Sequence, residues 1–156
     1  MTYKPEQIPI GYLIYQAQRA VHQAINQAFH EAGIPFAIEQ WSVMMEIFNS
    51  NGASQQFIAN KVRKDKATVT RLIGTLEKNG LVTCSADISD KRKKCVFYTE
   101  KAAGVRAKSE IVLAGINLQI MKNVDQENEQ IFREVLKIIF GNLNWSFEYM
   151  NLKNRN

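Results

Sequence analysis

The chain is poor in the residues that build closed chemical sites. Its 156 residues hold two cysteines, two histidines and three prolines. Cys84 and Cys95 give neither a disulfide framework nor a zinc-binding spacing. They fall on the two strands of an expected hairpin, close in pairing, and read as free thiols that pack; only the neighbouring basic run would lower a thiol pKa. His22 and His30 have no third ligand nearby and make a poor metal site, so no metal and no cofactor is expected. No apolar run approaches the roughly 18 residues that span a bilayer. The N-terminus lacks the charged-then-apolar pattern of a secretion signal, so a cytoplasmic protein with no membrane partner is expected. There is no glycine-rich phosphate loop, no Gly-x-Ser-x-Gly elbow, no His-Glu-x-x-His and no paired-carboxylate constellation, which argues against an enzyme. Internal repeats, low-complexity tracts and long linkers are also missing, so residues 1–156 read as one chain, a single domain or two small lobes sharing a core.

What is there is an ordinary apolar fraction and an uneven charge. Apolar residues make up 46% of the chain, enough for a real core. The net charge is +5. Between Ser54 and Arg106 stand twelve Lys and Arg against five Asp and Glu, while the remainder holds eight against ten. The positive charge is therefore concentrated in one segment, where a nucleic acid would lie.

That segment organises the chain. In Thr68 to Val82, Val69, Leu72, Ile73 and Leu76 recur at i, i+3, i+4 and i+7, one apolar face of a helix. Ala67, Arg71, Gly74 and Lys78 point the opposite way, with Thr68, Thr70 and Thr75 on the flanks. Such a small, polar, positive face suits the DNA major groove, where Arg donates to guanine and Thr touches phosphate or a thymine methyl. Asn79-Gly80 stops the helix. Leu81 to Ala86 and Cys95 to Thr99 read as strands, joined by a polar turn, Asp87 to Lys94, that holds four consecutive cations, Lys91 to Lys94. A basic loop between strands, just after a helix with a cationic face, suggests a wing along the DNA backbone or in a minor groove.

The remaining chain reads as helices. Met1 to Pro9 is an extended arm. A long amphipathic helix runs from Ile10 to about Ala32-Gly33, with Ile14, Ala17, Val21, Ala24, Ile25, Ala28 and Phe29 as its stripe. A second, Ile38 to Phe48, has Trp41, Met44, Met45 and Phe48 as its buried stripe, and Asn49 to Gly52 is a loop. Ser54 caps a third helix, Gln55 to Val62, which buries Phe57, Ile58 and Val62. Asp65 caps the fourth, its charge suiting a helix N-terminus. A fifth, Lys101 to about Val124, has Val105, Val112, Ile116 and Ile120 among its apolar positions. Asp125 stops or caps there, and a sixth runs from Gln126 to about Tyr149. Its stripe includes Phe132, Val135, Leu136, Ile139, Leu143 and Phe147; the tail NLKNRN is polar. The fold class is mainly α with a small β-hairpin wing. The outer helices carry more apolar surface, including Phe140, Trp145 and Tyr149, than one chain of this size can cover. A two-fold homodimer covers it and sets two recognition helices about one DNA turn apart, on a palindromic site.

The succession GIPFAIEQW, SQQFIANKVRKDKATVTRLIGTLEKNGLV and SDKRKKCVFYTEKAAGV resembles the MarR family of bacterial winged-helix transcription regulators, and the flanking helices match that family's layout. The resemblance implies an obligate homodimer bound to double-stranded DNA. Residues 36–100 would form the winged helix-turn-helix DNA-binding lobe, and residues 1–35 and 101–156 a helical dimerisation lobe. Carried over by position, Lys66 to Arg71 open the recognition helix, with Lys64 just before it, and Ala67, Thr68, Thr70 and Arg71 nearest bases and phosphates. Arg92 is the wing-tip arginine entering the minor groove, and Asp90 holds it by a charge-assisted hydrogen bond. Ser54, Gln55 and Gln56 take a phosphate on helix N-terminal amides. The family often has a further acid after the wing arginine. Here Lys93 and Lys94 follow it, beside Lys91, which implies a steep salt dependence. The resemblance further implies a small phenolic or aromatic effector that favours a lobe spacing unable to match two half-sites. Tyr12, Tyr15, His22, His30, Phe36 and Trp41 are candidates to line its cleft, each also readable as core packing or ordinary surface. The family's oxidant-sensing branch uses a cysteine near the N-terminus, and none stands there. The alternative function is a winged helix used only for protein–protein contact, which would call for an apolar or acidic recognition face.

Overall fold

A computed structural model describes residues 7–86 and 93–145. The elements run α1 (Ile10–Glu31), α2 (Ile38–Asn49), β1 (Ala53–Ser54), α3 (Gln55–Val62), α4 (Lys66–Lys78), β2 (Val82–Ala86), β3 (Lys94–Tyr98), α5 (Glu100–Ile120) and α6 (Gln126–Asn142). This is the expected mainly helical chain with a small antiparallel wing, a winged helix-turn-helix. It divides into two compact units, Met1–Asn117 and Leu118–Asn156.

The first unit holds the core. Val69, Leu72, Ile73 and Leu76 of α4 are all buried, as the spacing of that helix requires. They join Ile25 and Phe29 of α1, Val43, Met44 and Ile47 of α2, Ile58 and Ala59 of α3, Leu81, Val82 and Val96 of the wing, and Ala102 and Ile116 of α5. The buried stripe of α2 is Gln40, Val43, Met44 and Ile47, one position off the expected one. This helix is apolar on several sides, so periodicity alone does not fix its rotation. Trp41, Met45 and Phe48 lie half-buried on its flank. Phe57, expected inside, is 41% exposed. Ile58 and Ala59 take the inward face of α3, and Lys61, one turn on, lays its ammonium over the Phe57 ring at 5.5 Å.

The sheet has three strands in the order β1-β3-β2. β2 pairs with β3 from Val82↔Tyr98 to Ala86↔Lys94. The additional strand β1, where the sequence shows only a loop and a cap, pairs Ala53↔Val96 and Ser54↔Cys95. Gly52 donates its N–H to the Val96 carbonyl at 2.9 Å just ahead of this pairing. Cys84 pairs with Val96, and Cys95 with Ser85. Residues adjacent along a strand point to opposite faces, so the two thiols lie on opposite sides of the sheet.

Helix ends are specified locally. The Ser54 hydroxyl accepts from the Phe57 N–H at 3.2 Å, Asp65 from Thr68 at 2.8 Å, and Asp125 from Asn128 at 2.8 Å. These bonds satisfy donors that a first turn leaves open. At the end of α4 the Leu81 N–H bonds Leu76 and the Gly80 N–H bonds Glu77, with Gly80 at φ +70°, a left-handed stop that suits glycine. The same pair of bonds closes α3 through Arg63, at φ 52°, and α6 through Asn144, at φ 53°. α6 therefore ends at Asn142, short of the expected Tyr149. α5 ends at Ile120 rather than Val124, with Asn123 at φ 64° in the turn that follows.

The second unit contains α6, none of whose residues is buried. Ile131, Phe132, Val135, Ile138 and Leu143 are each about half exposed or more. In the first unit the N-terminal half of α1 is similar: Ile10, Tyr12, Leu13, Ile14 and Tyr15 are all exposed. The expected positions Phe147 and Tyr149, residues Met1 to Glu6 of the expected arm, and the polar tail lie outside the described residues. No described helix is long and apolar enough to cross a membrane.

Candidate nucleic-acid interface

Helices α3 and α4 with the turn Arg63–Asp65 form the helix-turn-helix. Burial of the Val69, Leu72, Ile73 and Leu76 face turns Ala67, Arg71 and Lys78 outward, all exposed, with Gly74 between them half-exposed. Lys64 and Lys66 are exposed at the entry to the helix. The sequence places four cations, Lys64, Lys66, Arg71 and Lys78, on or beside one exposed face.

The flanking hydroxyls are already engaged within the chain. Thr68 donates from Oγ1 to Asp65 Oδ2 at 2.6 Å, completing a two-pronged cap. These two bonds from Thr68, side chain and backbone, hold the Asp65 carboxyl below the usual carboxylate range. Thr70 donates from Oγ1 to Gln55 Oε1 at 3.0 Å, across to the start of α3. Thr75 donates to the Arg71 carbonyl at 3.2 Å. Each threonine oxygen still has lone-pair capacity toward an incoming donor. Ser54 is committed as a cap and a strand partner, and Gln56 donates along its own helix to Asn60 Oδ1 at 2.9 Å.

The wing is rooted on both sides. Cys84 N–H in β2 donates to Glu77 Oε1 of α4 at 3.1 Å. Burial, then the Glu77 carboxylate, push the Cys84 thiol above its ordinary value. Tyr98 N–H in β3 donates to Asn51 Oδ1 at 3.1 Å. Phe48 packs edge-on to Tyr98 with ring centroids 5.3 Å apart, and the Arg106 guanidinium lies 4.9 Å from the Phe48 centroid. Lys93 and Lys94 are exposed where β3 begins. Asp90, Lys91 and Arg92, the expected wing-tip residues, lie outside the described residues.

Among the effector candidates, Phe36 and Trp41 stack 6.0 Å apart at 13°, and both pack against Phe29. Tyr12 and Tyr15 neighbour each other at 6.4 Å on the exposed start of α1. His22 Nδ1 lies 3.6 Å from Glu39 Oε1, and His30 is exposed near the end of α1. The structure thus brings Phe36 and Trp41 together as one aromatic wall. No cluster of three metal-ligating side chains stands among the described residues. Sequence reasoning missed Asn51, Gly52 and Glu77 as supports of the wing. The Asn51-Gly52 turn signal was legible, but its strand partner lies more than forty residues on.

Residues 36–94 match the model of the MarR family. The HTH-type transcriptional regulator TtmR of Methylorubrum extorquens is 29% identical over 99 residues, which cover 62% of this chain and 49% of TtmR. The match thus spans about half the length of that relative. Among solved structures, the PcaV transcriptional regulator of Streptomyces coelicolor superposes with a TM-score of 0.78 at 18% identity, covering 88% of this chain and 98% of that one. The MepR–DNA complex of S. aureus gives 0.75 at 19%, covering 86% and 99%. At these identities the structural likeness is one of fold.

Proposed function

We propose that this chain is a MarR-family member and a sequence-specific double-stranded-DNA-binding transcriptional regulator that works as a homodimer on a palindromic site. The carrying observation is the outward face of α4: Ala67, Arg71, Gly74 and Lys78 set opposite four buried residues, beside a wing whose sequence holds Lys91, Arg92, Lys93 and Lys94. In this reading Arg71 donates to a base edge, Lys64 and Lys66 neutralise phosphates, and the amides at the start of α3 face the backbone. Arg92, steadied by Asp90, enters the adjacent minor groove. An apolar or acidic face at the same place would favour protein contact instead, and this face is neither.

The exposed apolar positions of α1 and α6 support the dimer, because an unpaired chain would leave them in water. A dimer seated on a promoter obstructs polymerase without further contacts, so the reading is of a cytoplasmic repressor with no catalytic step. A small aromatic effector near Tyr12, Tyr15, His22, Phe36 and Trp41 would release it by favouring a lobe spacing mismatched to the two half-sites. Binding of an Arg71→Ala variant tests the base-reading role. The expected loss is about 1–3 kcal/mol on the specific duplex and little on unrelated DNA. A uniform loss on every duplex would make Arg71 a phosphate contact.

A further inference from the structure

We propose that Asn79 is a positioning residue for DNA binding: its side-chain amide latches the end of the recognition helix α4 to the α1–α2 turn, so that the spacing of the two recognition helices in a dimer is set before DNA arrives. The proposal rests on the DNA-binding reading above. Asn79 caps the C-terminal end of α4 at φ −82° and ψ 1°. The stop itself is made by Gly80, at φ +70°. A residue at φ −82° has no need of asparagine's tolerance for the left-handed region. What uses the side chain is a contact 44 residues away in sequence: Asn79 Nδ2 donates to the Pro35 carbonyl at 2.6 Å, in a part-buried position. The partner is a carbonyl, so only the NH₂ end of the amide can face it.

The acceptor is held firmly. Pro35 lies in the turn between α1 and α2, with Ile34 and Phe36 buried on either side of it, and the Phe36 ring sits edge-on to Phe29 of α1 at 5.6 Å. The backbone at the same helix end is fastened to α5. The last carbonyls of a helix lack a partner within it, and Lys101 Nζ donates to that of Asn79 at 2.8 Å, where a cation also suits the negative end of the helix. Thr99 Oγ1 donates to the Gly80 carbonyl at 2.7 Å and accepts from the Ala102 N–H in the first turn of α5 at 3.3 Å. The end of α4 is thus bound to the α1–α2 turn and to α5. Both α1 and α5 carry exposed apolar residues, Ile10 and Ile14 on the first and Ile111 on the second, surfaces that the proposed dimer would bury. Fixing α4 against these helices fixes Arg71 relative to the two-fold axis, and one base pair of misfit moves a half-site by only about 3.4 Å. Setting that geometry beforehand removes an ordering cost from binding.

The test uses a duplex that the unaltered protein binds, its two half-sites mapped by footprinting, and the same duplex with one base pair inserted between them. Asn79→Ala is expected to bind the original duplex about fivefold more weakly, the worth of one net hydrogen bond. On the lengthened duplex it should bind as well as the unaltered protein, so that discrimination between the two spacings narrows by the same factor. The salt slope should stay unchanged, because no phosphate contact is lost. Asn79→Ser, which keeps a polar group too short to reach Pro35, should behave as Asn79→Ala does. Equal losses on both duplexes, or unchanged affinity on both, would overturn the proposal. A second arm needs no DNA. The Gly80 and Leu81 amides, bonded to Glu77 and Leu76, should exchange hydrogen about fivefold faster in Asn79→Ala than in the unaltered protein. Unmoved exchange would overturn the latch itself. If the unaltered protein bound no duplex, the DNA-binding reading would fail and the role with it, while faster exchange would still stand for the latch.

Discussion

Gly52 and Phe97 leave no room for a side chain between them: a Cβ on Gly52 would stand 2.8 Å from Phe97 Cε1. Gly52 also sits at φ +83°, a region that L side chains rarely adopt, and it bonds the strand that carries Phe97 at the preceding residue, Val96. Gly52→Ala should lose about 1–2 kcal/mol from backbone strain alone, with more if the Phe97 ring cannot swing away. Thermal unfolding reads the loss. A variant as stable as the parent would show that β1 does not hold the wing root.

Asp65 carries a pH dependence with a definite sign. Its carboxyl is held below the ordinary 3.8 by the bonds from Thr68. A carboxylate lowered in the folded state adds stability that is complete above the unfolded value and lost as pH falls through the folded one. Asp65→Asn keeps a capping oxygen and removes the charge. The melting-temperature gap between parent and variant should be constant at neutral pH and close as pH drops below about 4. A gap that persisted in acid would assign the cap to geometry alone.

Gly74 lies in the middle of α4 on its outward side, where a Cβ would meet nothing within 4 Å in this chain. Glycine there costs about 0.5–1 kcal/mol against alanine, and no contact among the described residues requires it. Gly74→Ala should therefore raise stability while lowering DNA affinity, because the added methyl stands on the face proposed to enter the groove. Unfolding and binding measured on the same variant decide the point. Stabilisation without loss of binding would move the contact away from this turn of the helix.

Phe132 is 56% exposed on a helix with no buried residue. Replacing an exposed side chain changes a monomer's stability within about 0.5 kcal/mol. In the proposed homodimer, Phe132→Asp should thus leave the fold intact and shift sedimentation from two copies to one. A variant that still sedimented as two would place the dimer contact elsewhere.

The helices and the inward face of α4 were legible because their signals are short-range. The i, i+3, i+4, i+7 recurrence marked Val69, Leu72, Ile73 and Leu76, and a Ser or Asp before α3, α4 and α6 marked the caps at Ser54, Asp65 and Asp125. β1 was not legible, since two residues are too few to show alternation and its pairing depends on a strand about forty residues away. α6 ends earlier than its apolar pattern suggests because Asn144 takes the left-handed role that glycine usually announces. The apolar character of Phe57 suggests an inward side chain, but Ile58 and Ala59 take the buried face of α3 and leave Phe57 exposed. In the interface, the cations were visible from charge counting. The engagement of Thr70 by Gln55 was not, because fifteen residues and a turn separate the pair and no local pattern relates them.

The outward face of α4 and the wing are proposed to read a particular DNA sequence. The most direct test is binding to the duplex upstream of the protein's own coding region, against a scrambled duplex of equal length, across a salt series. Tight binding to the first and weak binding to the second are expected. The weak binding should fall steeply with salt, by a logarithmic slope of about −0.9 for each phosphate neutralised. No binding to either duplex at low salt would contradict the proposal and put protein contact in place of DNA.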